Sequence, residues 1–161
     1  MLVERIWAAN SLRNFHYLVA CAETGEALMI DPLDARLCLD AARARGFGIT
    51  QVLNTHEHRD HTDGNAGVVA ATKARVMAHA GAASRIGGVD RGLARGDVIK
   101  VGRTVELEVL DTPGHTRSHP DGWSVNARCI DEGTVTGMKI NPIDGRNWEQ
   151  QYPEGHGEYK A

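Results

Sequence analysis

The sequence predicts a mixed α/β (α+β) fold in one compact domain, and three observations carry that expectation. Short apolar, β-branched runs alternate with segments of helical periodicity. Glycine, proline and aspartate punctuate the junctions between them. One apolar run leads directly into a dense cluster of histidines, as a strand does when it ends at a site. A chain of 161 residues can bury a real core but is short for a two-domain enzyme.

Residues 15–21 and 27–30 read as two strands joined by a turn at Glu23-Thr24-Gly25, a hairpin. Asp31 reads as a helix cap with Pro32 at the first helical position. Leu33, Leu37, Ala41 and Ala44 then repeat at helical spacing until Gly46 stops the run. Residues 49–53 form a short buried-strand pattern that runs into Thr55. Beyond the histidines, residues 67–74 suit a helix, 75–79 a strand and 81–86 a short helix. Residues 98–100 and 104–110 read as a hairpin turning at Gly102, with Val105, Leu107 and Val109 alternating against Thr104, Glu106 and Glu108. Composition shifts toward glycine, proline and tryptophan after Thr116, where a boundary is expected. Residues 123–130 and 134–140 read as further strands.

A formal charge of −3, with acids and bases interspersed, provides no broad basic field for nucleic acid or an anionic membrane. No apolar run approaches the roughly 20 residues that cross a bilayer, and the start has no long apolar leader region, so a cytoplasmic protein is expected. Cys21, Cys38 and Cys129 form no CxxC pair and suggest neither a disulfide framework nor a cysteine zinc knuckle.

His56, His58, Asp60 and His61 place four potential ligands on one short loop. Extended backbone points positions two apart to the same side, so His56 and His58 can serve one metal while a following turn redirects Asp60 and His61 toward a second. Imidazole and carboxylate suit zinc, and iron or manganese are compatible with the same mixed nitrogen and oxygen set. Downstream, Thr112-Pro113-Gly114-His115-Thr116 sets His115 on a tight turn at a strand end, completing a three-histidine set. His16 and His79 fall in strands and read as packed or surface histidines, and His119 and Asp121 as turn residues.

With Leu53-Asn54-Thr55-His56-Glu57-His58-Arg59-Asp60-His61-Thr62-Asp63-Gly64-Asn65 and the His115 turn, residues 1–116 resemble the metallo-β-lactamase superfamily, most closely its glyoxalase II (hydroxyacylglutathione hydrolase) branch. The resemblance implies the N-terminal portion of an αββα sandwich. It also implies His56, His58 and His115 on one zinc, and Asp60 and His61 on a second. A water between the metals, its pKa lowered toward about 7 and oriented by Asp60 as a catalytic group, would attack a glutathione thioester. The implied reaction is hydrolysis of S-D-lactoylglutathione to D-lactate and glutathione, without nucleic-acid or membrane partners.

The branch pattern continues with a Gly-Asp-Thr-type motif, whose aspartate bridges both metals, and a last histidine; neither is recognisable here. Instead, residues 117–155, with Arg117-Ser118-His119-Pro120-Asp121-Gly122-Trp123-Ser124-Val125-Asn126-Ala127-Arg128-Cys129-Ile130-Asp131 and Asp144-Gly145-Arg146-Asn147-Trp148-Glu149, are similar to the C-terminal part of glutathione-dependent formaldehyde-activating proteins. Residues 117–161 are thus expected as a β-rich tail that completes or caps the same domain, as in a fusion. Within it Asp131 is the candidate for the bridging carboxylate, ahead of Asp144, with His156 for the last histidine. Without a shared anion two dications repel, so the second site should be the weaker and turnover reduced. Two other readings stand beside hydrolysis: an iron enzyme like the glutathione persulfide dioxygenases, using His56, His115 and an aspartate, or a metal-binding domain without turnover.

Overall fold

The computed structural model describes residues 1–113 and 123–130, the strand segments 111–113 and 123–130 by backbone alone. His115, His119, Asp121, Asp131, Asp144, His156 and the strand expected over 134–140 lie outside the described residues.

The described residues build two sheets and a helical layer. The first sheet runs in the order β1 (Leu2–Trp7), β2 (Phe15–Ala20), β3 (Glu26–Ile30), β4 (Gly48–Asn54), β5 (Arg75–His79) and β6 (Arg91–Leu93). Its first three strands are antiparallel neighbours, and β3 to β6 pair in parallel. The second sheet has the order β7 (Val98–Val101), β8 (Val105–Pro113) and β9 (Trp123–Ile130), all antiparallel. Both expected hairpins form. β9, the first strand of the expected tail, pairs with β8 from Glu106↔Ile130 to Pro113↔Trp123, and the compact unit that holds both sheets runs from Met1 to Asp131.

Side-chain alternation sorts the first sheet's two faces. Leu18, Ala20, Ala27, Met29, Ile49, Val52 and Val76 form one buried cluster with Cys38 and Ala42 of α1 (Ala35–Ala44) and Val68 of α3 (Asn65–Thr72). Val19, Leu28, Leu53 and Met77 point the other way, onto Ile99, Val101, Val105, Leu107 and Val109 of the second sheet. Where β4 and β5 are covered on both faces, burial is continuous, over Val52, Leu53 and Asn54 in the one and Val76 to His79 in the other, as in parallel strands. Helices, first sheet and second sheet are three layers of the αββα sandwich.

Two local expectations change. The cap of α1 is Asp34, which accepts a hydrogen bond from the Leu37 N–H at 3.0 Å, and the helix ends before Gly46 at φ +76°. Asp31 stands outside that helix, buried, at φ +51°. The strands β1 and β6 were not expected. β1 mixes exposed Val3 and Trp7 with buried Ile6, and β6 is only three residues, so pairing to β2 and β5 rather than local pattern makes them strands. Among the described residues no helix is long and apolar enough to cross a membrane.

A candidate metal centre at the strand ends

Since β3, β4 and β5 run parallel, their carboxyl ends lie side by side, and antiparallel β2 brings its first residues to the same edge. That edge is where α/β sheets place ligands. Asp31 follows β3, residues 55–61 follow β4, His79 ends β5, and Asn14 precedes β2. β8 ends at Pro113, two positions before His115.

The loop after β4 behaves as extended backbone and then turns. His56 and His58 share a side, their rings edge to face with centroids 4.7 Å apart. Glu57 points elsewhere, its carboxylate 3.1 Å from Arg85 Nε. His58 is still extended at φ −66°, ψ 143°, after which the short helical turn α2 (Arg59–Thr62) swings Asp60 and His61 back. The His61 ring stands 4.1 Å from that of His56, centroid to centroid. The structure thus brings together His56, His58, Asp60 and His61, four of the sequence-expected ligands.

Asp31 was missed as a site residue. Its Oδ1 accepts from the Thr55 N–H at 2.7 Å, and its Oδ2 accepts from Thr55 Oγ1 at 2.6 Å and from His61 Nδ1 at 3.0 Å. Its own carbonyl accepts from Nδ1 of His16, a fully buried ring, at 2.6 Å. His16 is therefore a packed histidine that helps hold Asp31 in its left-handed conformation. His79, almost as buried, takes the Gly81 N–H on Nδ1 at 3.0 Å. One ligand atom each of Asp31, His56 and His61 lies within 4.8 Å of the other two. Asp31, however, already accepts three hydrogen bonds, which suits it to orienting the loop.

A buried amide pair closes the loop's far side. Asn65 Nδ2 donates to Asn54 Oδ1 at 2.7 Å, and Asn54 Nδ2 donates to Asn65 Oδ1 at 3.2 Å and to the His61 carbonyl at 3.0 Å. Beside it Gly64 packs so tightly that a Cβ there would collide with the carbonyl oxygen of Pro32 and stand 2.9 Å from that of Leu33. The loop is held at both ends to the segment after β3.

The donor chemistry fits a cation. With Nδ1 facing a carboxylate, His61 carries its proton there, so in the neutral ring Nε2 presents a lone pair, 3.3 Å from Asp60 Oδ2. Two lone-pair donors at that separation repel unless a positive centre stands beside them, and in the metal-free chain the Asn14 amide does so, its Nδ2 2.8 Å from the oxygen and 3.3 Å from the nitrogen. About 3.3 Å is also the spacing of two ligands bound some 2.0–2.1 Å from one tetrahedral ion. Burial works against charge on both groups. For His61 the Asp31 hydrogen bond and charge outweigh it, and the pKa is raised above 6.5. For Asp60 the Asn14 hydrogen bond and the charge of His61 outweigh it, and the pKa is lowered. Metal-free, the pair is poised to share a proton.

The family model for the metallo-beta-lactamase superfamily matches residues 14–130, from the residue before β2 through β9. Among curated relatives, a hydroxyacylglutathione hydrolase of Polaromonas sp. is 67% identical over 119 residues, 74% of this chain and 45% of the relative. One of Nitrosococcus oceani is 60% identical over the same shares. The chain thus spans about half the length of these relatives. Among solved structures, a metallo-beta-lactamase from Staphylococcus aureus superposes with a TM-score of 0.67 at 28% identity, covering 87% of this chain and 41% of that one. ETHE1 from Myxococcus xanthus gives 0.63 at 26% identity, covering 79% and 54%.

Proposed function

Because the chain belongs to the metallo-beta-lactamase superfamily, we propose that its strand-end cluster is the metal centre of a glyoxalase II-like thioester hydrolase. The observation that carries this is the convergence of the His56, His58 and His61 rings with the Asp60 carboxylate. The relatives named hydroxyacylglutathione hydrolase support a hydroxyacyl thioester of glutathione as substrate, and S-D-lactoylglutathione, giving D-lactate and glutathione, is the one the sequence resemblance implies.

In this reading His56, His58 and His115 would hold a first zinc and Asp60 and His61 a second, with Asp131 the candidate for a further carboxylate ligand. Zinc, when bound, supplies Lewis acidity toward the carbonyl and a water acidic enough to attack at neutral pH. This chain's own residues supply the arrangement. Asp31 keeps the proton of His61 on Nδ1 and so leaves the lone pair of Nε2 to ligate. The Glu57–Arg85 ion pair and the Asn54–Asn65 pair hold the loop so that donors do not have to be ordered at binding. Asp60, with one oxygen toward His61, is the group that orients the attacking water.

Metal analysis of the purified chain together with an S-D-lactoylglutathione hydrolysis assay tests the proposal. Zinc in the protein, zinc-dependent release of glutathione, and loss of metal in His58→Ala but not in His119→Ala are expected. Iron with oxygen uptake and no hydrolysis, or full metal content in His58→Ala, refutes it.

A further inference from the structure

Asn14 precedes β2, far from the histidine loop in sequence, yet its side chain reaches into it. Its Nδ2 lies 2.8 Å from Asp60 Oδ2, 3.2 Å from the Asp60 carbonyl oxygen and 3.3 Å from His61 Nε2. The orientation of this amide is set from behind. Asn10 Nδ2 donates to Asn14 Oδ1 at 3.0 Å, and Asn10 Oδ1 accepts the Asn14 N–H at 3.0 Å. With its oxygen occupied, Asn14 presents its NH2 toward Asp60, whose two oxygens can only accept.

The loop that achieves this is costly to build. Ala9 and Arg13 both sit at positive φ, 53° and 58°, although neither is glycine. Asn14 itself is buried. A buried amide that meets a candidate ligand through both its side-chain and backbone oxygens does more than fill space.

We infer that Asn14, braced by Asn10, is a positioning residue that aims the Asp60 carboxylate at the same metal position as His61 Nε2. The inference rests on the ligand roles proposed for Asp60 and His61. Physically, a carboxylate on a short side chain can rotate about two bonds, and a donor fixed on one oxygen removes that freedom before a cation arrives. The amide also occupies one acceptor direction of Oδ2 and leaves the other for the ion.

The test is zinc titration of the full chain against a chromophoric chelator, with cobalt substitution to read each site by its visible spectrum. Asn14→Leu keeps the shape of the side chain and removes its donors; Asp60→Ala is the companion. Two equivalents are expected to bind the parent chain. Asn14→Leu should weaken only the second, by roughly 10–100-fold, with the cobalt band of the first unchanged. Asn10→Ala should act in the same direction more mildly, and Asp60→Ala should abolish the second equivalent. If Asn14→Leu loads like the parent while Asp60→Ala loses an equivalent, the inference is wrong and the ligand reading stands. If Asn14→Leu weakens both equivalents alike, its role is only to hold the fold, and the inference is again overturned. If the parent chain and Asp60→Ala load identically, Asp60 is not a ligand and the inference falls with that reading.

Discussion

Replacing Asp31 by Asn separates orienting the histidine loop from holding its backbone. Asn adopts the left-handed region as readily as Asp, so φ +51° costs the variant little and the side chain alone is tested. Three hydrogen bonds end on the Asp31 carboxylate, from Thr55 N–H, Thr55 Oγ1 and His61 Nδ1. In the Asp31→Asn chain the least costly arrangement of the new amide keeps its oxygen on the Thr55 N–H and turns its NH2 toward Thr55 Oγ1 and His61 Nδ1. The threonine hydroxyl can rotate to accept. His61 must instead shift its proton to Nε2, the nitrogen that faces Asp60. Each bond changes from charge-assisted to neutral, a loss of about 1 kcal/mol apiece, so the metal-free chain should lose about 2–3 kcal/mol. Zinc affinity at the His61 position should fall by roughly 10–100-fold, since the ring must give back its tautomer to ligate. Urea unfolding of the metal-free protein at neutral pH reads the first quantity and zinc competition the second. Asp31→Ala, which also strains the left-handed residue by about 1 kcal/mol, should be worse on both. A stability change under about 0.5 kcal/mol together with zinc affinity within twofold of the parent would refute the orienting role.

Gly64→Ala should destabilise the chain by about 2 kcal/mol or more, measured as a urea midpoint, because its Cβ meets backbone carbonyls of Pro32 and Leu33 that cannot rotate away. Metal-free stability should peak in mild acid. His61, with its pKa raised above 6.5, stabilises fully below that value and loses its contribution as pH climbs through the folded pKa. Asp60, with its pKa lowered, stabilises above its ordinary 3.8 and loses its contribution as pH falls through the folded value. Zinc binding should strengthen over the same rise in pH, because the ion displaces the His61 proton; a flat stability profile between pH 4 and about 8 would contradict the pair. Cys38, whose thiol burial and the Asp34 charge push up to about 12, should resist iodoacetamide in the native chain and react only in urea, as read by peptide mass mapping.

Local pattern carried much of this protein. Period-two alternation identified β8, strand-like runs flanking turns located β2, β3 and β7, and helical spacing located α1. The same period of two put His56 and His58 on one side, and the need for a turn before Asp60 and His61 is met by α2. These features depend on residues within a few positions of one another, which is what a one-dimensional pattern records. Tertiary structure decided the rest. Asp-Pro is a sound helix-start signal, yet Asp34 took the cap because parallel pairing of β3 with β4 draws Asp31 to the Leu53 carbonyl, its N–H donating there at 2.9 Å, and under the Thr55 N–H. Asn14 meets Asp60 across 46 positions and Asp31 meets His61 across 30, separations at which no local propensity couples the partners. The candidate ligands were legible because their chemistry is written in residue type and spacing. The groups hydrogen-bonded to them were not, since an asparagine or aspartate meets these side chains only when the sheet brings it to the same edge.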